Sequence, residues 1–458
     1  MKSYLAFCAI VLILMAAEFV YAEETKSPLD SSSVFESQDR WLDQLAKPIP
    51  IYRDQVKLKM GGEFRYRLEL RDNFNFNHET YEDDALSLFR SRLNFNLTAG
   101  PYFRIFAEGQ DAESVASSVL DRSSAFVNRL DLRQLYTEIK SPWKEVPVSV
   151  TVGRQELSYG DERFVGAFNW SNVARVFDAA KLVFSPFDWF RLDVWFSQVV
   201  PVNRSQADSA NHNDNFYGVY NSLKPFKNHV FDTFLFVRHN LNRGIVGEKP
   251  GEQGQLKEYT VGNRFKGRKG NFDYGIEWAT QFGSRAHDDI QAWAWHNEIG
   301  YTLTNFSWNP RPNFEYNHGS GNHNSTDGHY GDFDNLFPTN HPFYGYMDFA
   351  SLRNMNDVKV GMDLKPNSRV KFSCDYHWFF LDTNGSAWFN ASQKVIRAAQ
   401  LGASTTIGQE LDLLGTWQLS AHLDLMMGYS HFHAGAFMKD TGAHDSADFF
   451  YTQFTVKV

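Results

Sequence analysis

The chain has 458 residues, a formal net charge of −9 and aromatic residues at 16% of its positions. An acidic balance with no basic cluster excludes a nucleic-acid binder. Past residue 22 no apolar stretch reaches the ~20 residues a spanning helix needs, which excludes a helical membrane protein. A β-barrel stays open, because alternation dilutes its hydropathy to that of a soluble protein.

The chain begins as a secretory signal: Lys2, then the apolar run "YLAFCAIVLILMAA", then "VYA" ending at Ala22. Residues 1–22 read as a signal peptide, with the mature chain starting near Glu23. Only Cys374 then remains, so the mature fold contains no intramolecular disulfide. Residues 23–55 are polar and broken by Pro28, Pro48 and Pro50, and read as a mobile periplasmic leader with one helical turn around Trp41 to Leu45.

From Val56 to the C-terminus one texture repeats. In "VKLKMGGEFRYRLELR", Val56, Leu58, Met60, Phe64, Tyr66, Leu68 and Leu70 share one parity, and the charged residues share the other. Successive side chains of a strand point to opposite faces, so this is one apolar and one charged face. Next, Phe89, Leu93, Phe95 and Leu97 oppose Arg90, Arg92, Asn94 and Asn96. Phe190, Leu192, Val194 and Phe196 oppose Arg191, Asp193, Trp195 and Ser197, and "NFDYGIEWATQF" and "RVKFSCDYHWFF" alternate likewise. Such windows predict about eighteen strands over 56–458, an even number in the range of outer-membrane barrels. No repeat of ~40–50 residues supports a propeller. Tyr102, Phe103, Trp143, Trp189, Trp293, Trp308 and Trp388, at segment ends, suit interfacial girdles. The expected fold is all-β: a transmembrane antiparallel barrel of about 18 strands in the cell outer membrane, spanning 56–458.

Residues 153–182, "GRQELSYGDERFVGAFNWSNVARVFDAAKL", resemble the signature segment of the alginate export family. "FRYRLEL" resembles that family's first strand and "FDNLFPTNHPFYGYMDFASLRN" (333–354) its long central loop segment. "GQELDL" followed by "MMGYSHFHAGAF" resembles its penultimate hairpin. The family pattern Phe-Asp-Gly-x-Arg departs here to Phe177-Asp178 followed by Ala179, Ala180 and Lys181. The resemblance implies an eighteen-stranded barrel exporting a polysaccharide, alginate being the namesake substrate.

If the apolar parity faces lipid, Lys57, Lys59, Arg65, Arg67 and Arg71 project into the lumen with Glu63 and Glu69, and Arg90 and Arg92 join them. A positive constriction concentrates an anionic polymer, and arginine binds carboxylates bidentately without titrating. The competing account is that these cations pair across strands, with Glu69, Glu108, Glu138 and Asp161 as partners. "GRQELSYGDERFVG" places Arg154, Glu156, Asp161 and Arg163 around two glycines at a strand end. In a lumen it would fold inward, ion-paired, and narrow the pore; an ordinary salt-bridged turn fits the same residues equally well. Lys181 keeps the positive charge at the end of that segment.

His318, His323, His329 and His341 lie among Asp327, Asp332 and Asp334, but their spacing fits no tight ligand motif. No nucleophile elbow, zinc helix, Walker loop or dinucleotide fingerprint is present. Glu410 and Asp412 share one face of a strand, a pair that either a lyase or lumenal hydrogen bonding accommodates. The sequence therefore predicts no enzyme and no cofactor or metal. It predicts a channel for an anionic polysaccharide or sugar acids, with a general porin or a surface-binding barrel as alternatives. Outer-membrane lipid is the surrounding partner, no nucleic acid is expected, and periplasmic secretion or synthesis components stay open as partners.

Overall fold

The structure, a computed structural model, describes residues 40–458 except 54, 81–82, 116–124, 143–146, 205 and 250. The expected signal peptide, most of the leader and Trp143 lie outside the described residues.

Eighteen antiparallel strands, from Val56–Asp72 to Ala447–Lys457, form a closed barrel. Each pairs with its neighbours in sequence, and the ring closes where the first strand meets the last, Glu63 opposite Lys457 and Asp72 opposite Asp448. Lipid offers backbone groups no hydrogen bonds, so a spanning sheet must satisfy every N–H and C=O across its own strands. Closure leaves no unpaired edge. Two short strands, Ile49–Tyr52 and His329–Tyr330, pair onto the wall without entering the ring.

The period-2 pattern decides which face meets lipid. On the first strand Phe64 is 47% exposed, while Arg65 and Arg67 on the other parity are 3% and 1% exposed. Leu93, Leu135, Val152, Phe196 and Trp293 continue the exposed outer band. A face this apolar belongs against acyl chains, and the charged parity therefore lines the lumen.

Connections near the chain termini are short, such as the turns after Phe187 and Lys269. At the opposite end run 156–176, 320–354 and 381–405. Short periplasmic turns and long extracellular loops are the usual arrangement. Two of these loops fold back into the barrel. Leu157, Phe164, Phe333, Phe337, Tyr344 and Phe349 form one buried cluster with the inward-facing Phe177, Trp195, Phe216, Phe236 and Phe432. Room for it depends on small wall residues: a Cβ on Gly218 would stand 2.0 Å from the Trp195 ring.

Two expectations are corrected. The last part of the segment read as mobile is docked: helix Arg40–Leu45 buries Leu42, His422 bonds Asp43 at 2.9 Å, and Ile49–Tyr52 pairs with 56–58. Trp388 is no girdle residue. It is 2% exposed inside the loop cluster, against Phe76, Phe349 and Phe432, because the segment carrying it folds inward. Tyr102, Phe103, Trp189, Trp293 and Trp308 are exposed.

Leu93, 54% exposed well inside its strand, tests the assignment of faces. Leu93→Arg should destabilise the barrel by roughly 2–4 kcal/mol in urea titrations in lipid vesicles. A variant as stable as the parent would place that parity away from lipid.

Candidate functional site: a clamped lumenal constriction

The lumen is narrowed by residues 156–176, which leave the strand Val148–Gln155, cross the interior and rejoin the wall at Phe177. Such a loop carries polar backbone into a confined space, so each carbonyl needs a donor. Arginines of the first two strands supply them. Arg65 donates to the carbonyls of Asn169 (2.9 Å) and Ser171 (3.1 Å) and to Asn172 Oδ1. Arg67 donates to the Trp170 carbonyl at 2.8 Å, and Arg90 to those of Asn169 and Ser171, both at 3.0 Å. Arg92 reaches Asn169 Oδ1 at 2.9 Å and Gln110 at 2.7 Å. Asn172 then donates back to the carbonyls of Phe89, Glu113 and Phe126.

The Trp170 ring completes the clamp. The Arg67 guanidinium lies 3.8 Å from it and the His341 imidazole stacks on it at 3.7 Å. His341 belongs to the second inward loop and bonds Asp348 at 3.1 Å. The two loops are also stitched by backbone: Val165 bridges Phe337, Gly166 N donates to Phe337 O at 2.8 Å, and Thr339 N to Glu162 O at 2.9 Å.

Across the lumen the first loop is held by charge. Arg264 and Lys266 lie 2.7 and 3.0 Å from Asp161. Burial by itself would raise that carboxyl, but these two cations hold it down to about 2. Glu156 pairs with Arg133, and against the same burial penalty its carboxyl stays below the usual range.

The residues singled out in the sequence do not form one solvated ring. Arg65, Arg67 and Arg90 are buried clamp residues; Arg67 also meets Glu69 at 2.7 Å and Arg90 meets Glu63 at 2.5 Å. Arg71 pairs with Glu69 at 2.7 Å. Arg163 lies inside the loop, 2% exposed, 3.4 Å from Glu315 and 4.1 Å from the Phe343 ring. Arg154 goes the other way. It shares the outward parity of Val150 and Val152 and bonds Asp178 at 2.8 Å, so it is no pore-lining residue. Lys57, Lys59 and Lys181 lie on the inward parity, opposite Thr98, Asn96 and Thr151. Among the described residues these three and Arg92 make no ion pair.

Several cations of the remaining wall are paired: Lys266 with Asp161 and Glu298, Arg311 with Asp273 and Asp363, and Lys359 with Glu315, while Arg268 and Arg285 bond the backbone carbonyls of Gly270 and Val246. Glu258, Glu277 and Glu410 make no ion pair among the described residues, but all three are buried. The sequence reading missed Arg104 and Arg133. The parity Arg104, Phe106, Glu108, Gln110 in "FRIFAEGQ" was the available signal. The loop histidines bond asparagine, glutamine or aspartate, and among the described residues no group of three ligand-type side chains converges as a metal site.

The profile of the alginate export family matches residues 56–452. No curated protein sequence matches the chain. Solved structures share the architecture at low identity. OccAB1 of Acinetobacter baumannii is 11% identical with a TM-score of 0.59, covering 91% of this chain and 99% of its own. The outer membrane protein OprD from Pseudomonas aeruginosa is 11% identical with a TM-score of 0.56, covering 90% and 96%. OccD3 (OpdP) of the same organism is 10% identical with a TM-score of 0.58, covering 90% and 93%.

Two measurements probe the clamp. Trp170→Ala removes the ring shared by Arg67 and His341, so single-channel conductance in planar bilayers should rise and residues 156–176 should become protease-sensitive. Unchanged conductance would mean that the loop does not limit the channel. Asp161 has a folded value below the ordinary 3.8, so its contribution is complete above about pH 4 and lost as pH falls through about 2. Open-channel noise should stay flat between about pH 5 and 7 and grow toward pH 2. Asp161→Asn should show the acid behaviour already at neutral pH.

Proposed function

This chain belongs to the alginate export family, and from that premise we propose that it passes an anionic polysaccharide of the alginate kind, or sugar acids, across the outer membrane. A channel or porin in that membrane is what the family and the barrel architecture support; the anionic cargo is our reading. The observation that carries it is the imbalance of pairing around the lumen. Lys57, Lys59, Arg92 and Lys181 have no carboxylate within ion-pair distance among the described residues, while Lys266, Arg311 and Lys359 of the far wall are neutralised. The unpaired carboxylates Glu258, Glu277 and Glu410 are buried. What a solute meets on entering from the terminal end is therefore positive. Several separate cations of moderate strength let a polyanion enter and still leave.

Selection and passage need no bond made or broken. The buried Glu410 accepts from the Met347 amide at 2.9 Å, and Asp412 accepts from Ser430 and the Tyr346 amide, so that carboxylate pair supports the second loop. Two inward loops also favour a second reading, a channel for small anionic solutes only. Residues 1–22 enter the proposal as a cleaved signal peptide.

Reversal potentials across a salt gradient should show anion preference despite the net charge of −9. Lys57→Glu with Lys59→Glu should cut the anion-to-cation permeability ratio severalfold, at about 1 kcal/mol per charge for an effective dielectric well above that of dry protein. These two residues hold no loop, so folding should persist. Cation preference in the parent would overturn the reading. Block by monomeric uronates without block by oligomers would favour the small-solute channel.

A further inference from the structure

Most inward-facing aromatic rings lie in the loop cluster described above. Phe106 and Tyr136 stand apart from it. They face each other across adjacent strands, ring centres 5.2 Å apart and 26° from parallel, and each is only partly buried. Leaving apolar rings facing water in a polar lumen forfeits about 25 cal/mol per Å² that a covering side chain would recover. None covers Tyr136 from the next strands: its partner there is Gly153, at φ +127°, and beyond Gly153 stands Ala179.

The surroundings carry both signs of charge: Glu108, Glu138 and Glu156 lie within electrostatic reach of Tyr136, the first and last of them held by Arg133. The Arg104 guanidinium lies 5.3 Å from the Phe106 ring and 5.5 Å from Tyr136, and its Nε donates to Asn96 Oδ1 at 2.8 Å. Its nearest carboxylate, Glu138, is 3.6 Å away, longer than the ~2.7–2.9 Å of a strong charge-assisted bond. Lys59 stands opposite Asn96, the residue Arg104 holds. Lys181 stands opposite Thr151, itself opposite Glu138. The shelf lies four residues along the strand from Arg92, roughly 13 Å toward the terminal end of the constriction.

We propose that Phe106, Tyr136 and Arg104 form a lumenal subsite for a pyranose ring bearing a carboxylate, a uronate unit, positioned before the constriction. Tyr136, backed on one side by Phe106, presents its other face, on the Gly153 side, to the C–H side of the sugar. Arg104 turns its free donors to the carboxylate, with Lys59 and Lys181 supplying positive potential around it. A neutral sugar satisfies the first requirement only, and an inorganic anion the second only. The inference rests on the anionic-saccharide reading and adds to it a place and a ring-recognition element.

Block of single-channel current by short oligomannuronate, added on the terminal side, tests it, with a neutral gluco-oligosaccharide of equal length as comparator. The parent should be blocked far better by the uronate. Phe106→Leu with Tyr136→Leu should weaken uronate block by about tenfold while leaving anion selectivity in plain salt unchanged. Tyr136→Phe should behave as the parent, which separates loss of the ring from misfolding. Arg104→Gln should bring uronate block down to that of the neutral oligomer. Uronate block of the parent that survives the paired leucine variant undiminished would overturn the subsite and leave the anionic channel standing. No uronate block of the parent would overturn both.

Discussion

Three guanidinium groups from two neighbouring strands hold the carbonyls of three consecutive loop residues, Asn169, Trp170 and Ser171. A guanidinium away from bulk water is costly unless its donors are used, and a carbonyl carried into a lumen is costly unless it accepts. Here each deficit answers the other. The fork of arginine reaches two carbonyls at once with donors in a fixed plane, where lysine would offer only a point charge. Removing one side alone would leave the other buried without partners, the expensive case for charged groups. The loop is therefore a fixed part of the wall's chemistry.

The rest of the interior follows from that clamp. With Trp170 fixed, His341 has a ring to stack on, and the second loop is brought against the first. Their apolar sides then cover Phe177, Trp195, Phe216 and Phe432, which would otherwise face water. The barrel thus has two apolar surfaces of different origin, an outer band against lipid and an inner cluster built by its own loops. Charge is divided as well. Cations that clamp are spent on carbonyls and glutamates, those of the far wall largely on carboxylates, and Lys57, Lys59 and Lys181 remain available to a solute.

The eighteen strands and the direction of each parity were legible because a period of two is local, and one window after another reports it. The fate of Arg65 was not, because its partners lie more than a hundred residues away in a segment with no regular period. A lumenal arginine and a clamping arginine share the same strand pattern. Arg154 was misplaced for a related reason: a strand-end motif says little about which face its last residue takes, and the register with Asp178 settles it. Trp388 looked interfacial by position, yet the fold of residues 381–405 draws it inside. The glycines and mixed charge of the 153–182 segment suited an inward fold and an ordinary salt-bridged turn equally, because the donors that decide between them lie on distant strands.

The strand that closes the ring is the last of the described strands, and its pairing with the first joins residues far apart in sequence. Until Ala447–Lys457 pairs with Glu63–Asp72, the wall is an open, curved sheet whose two ends are separated by nearly the whole sequence. The arginines that receive residues 169–171 all lie on the first two strands, so the first loop can dock on a half-built sheet without passing through a finished ring. The second loop docks on the first, and Tyr451 of the final strand packs its ring against Trp170 at 5.0 Å. Contacts of such long sequence separation make for slow folding. The strand that closes the wall thus also supplies a ring to the clamp, so seam and interior share one contact.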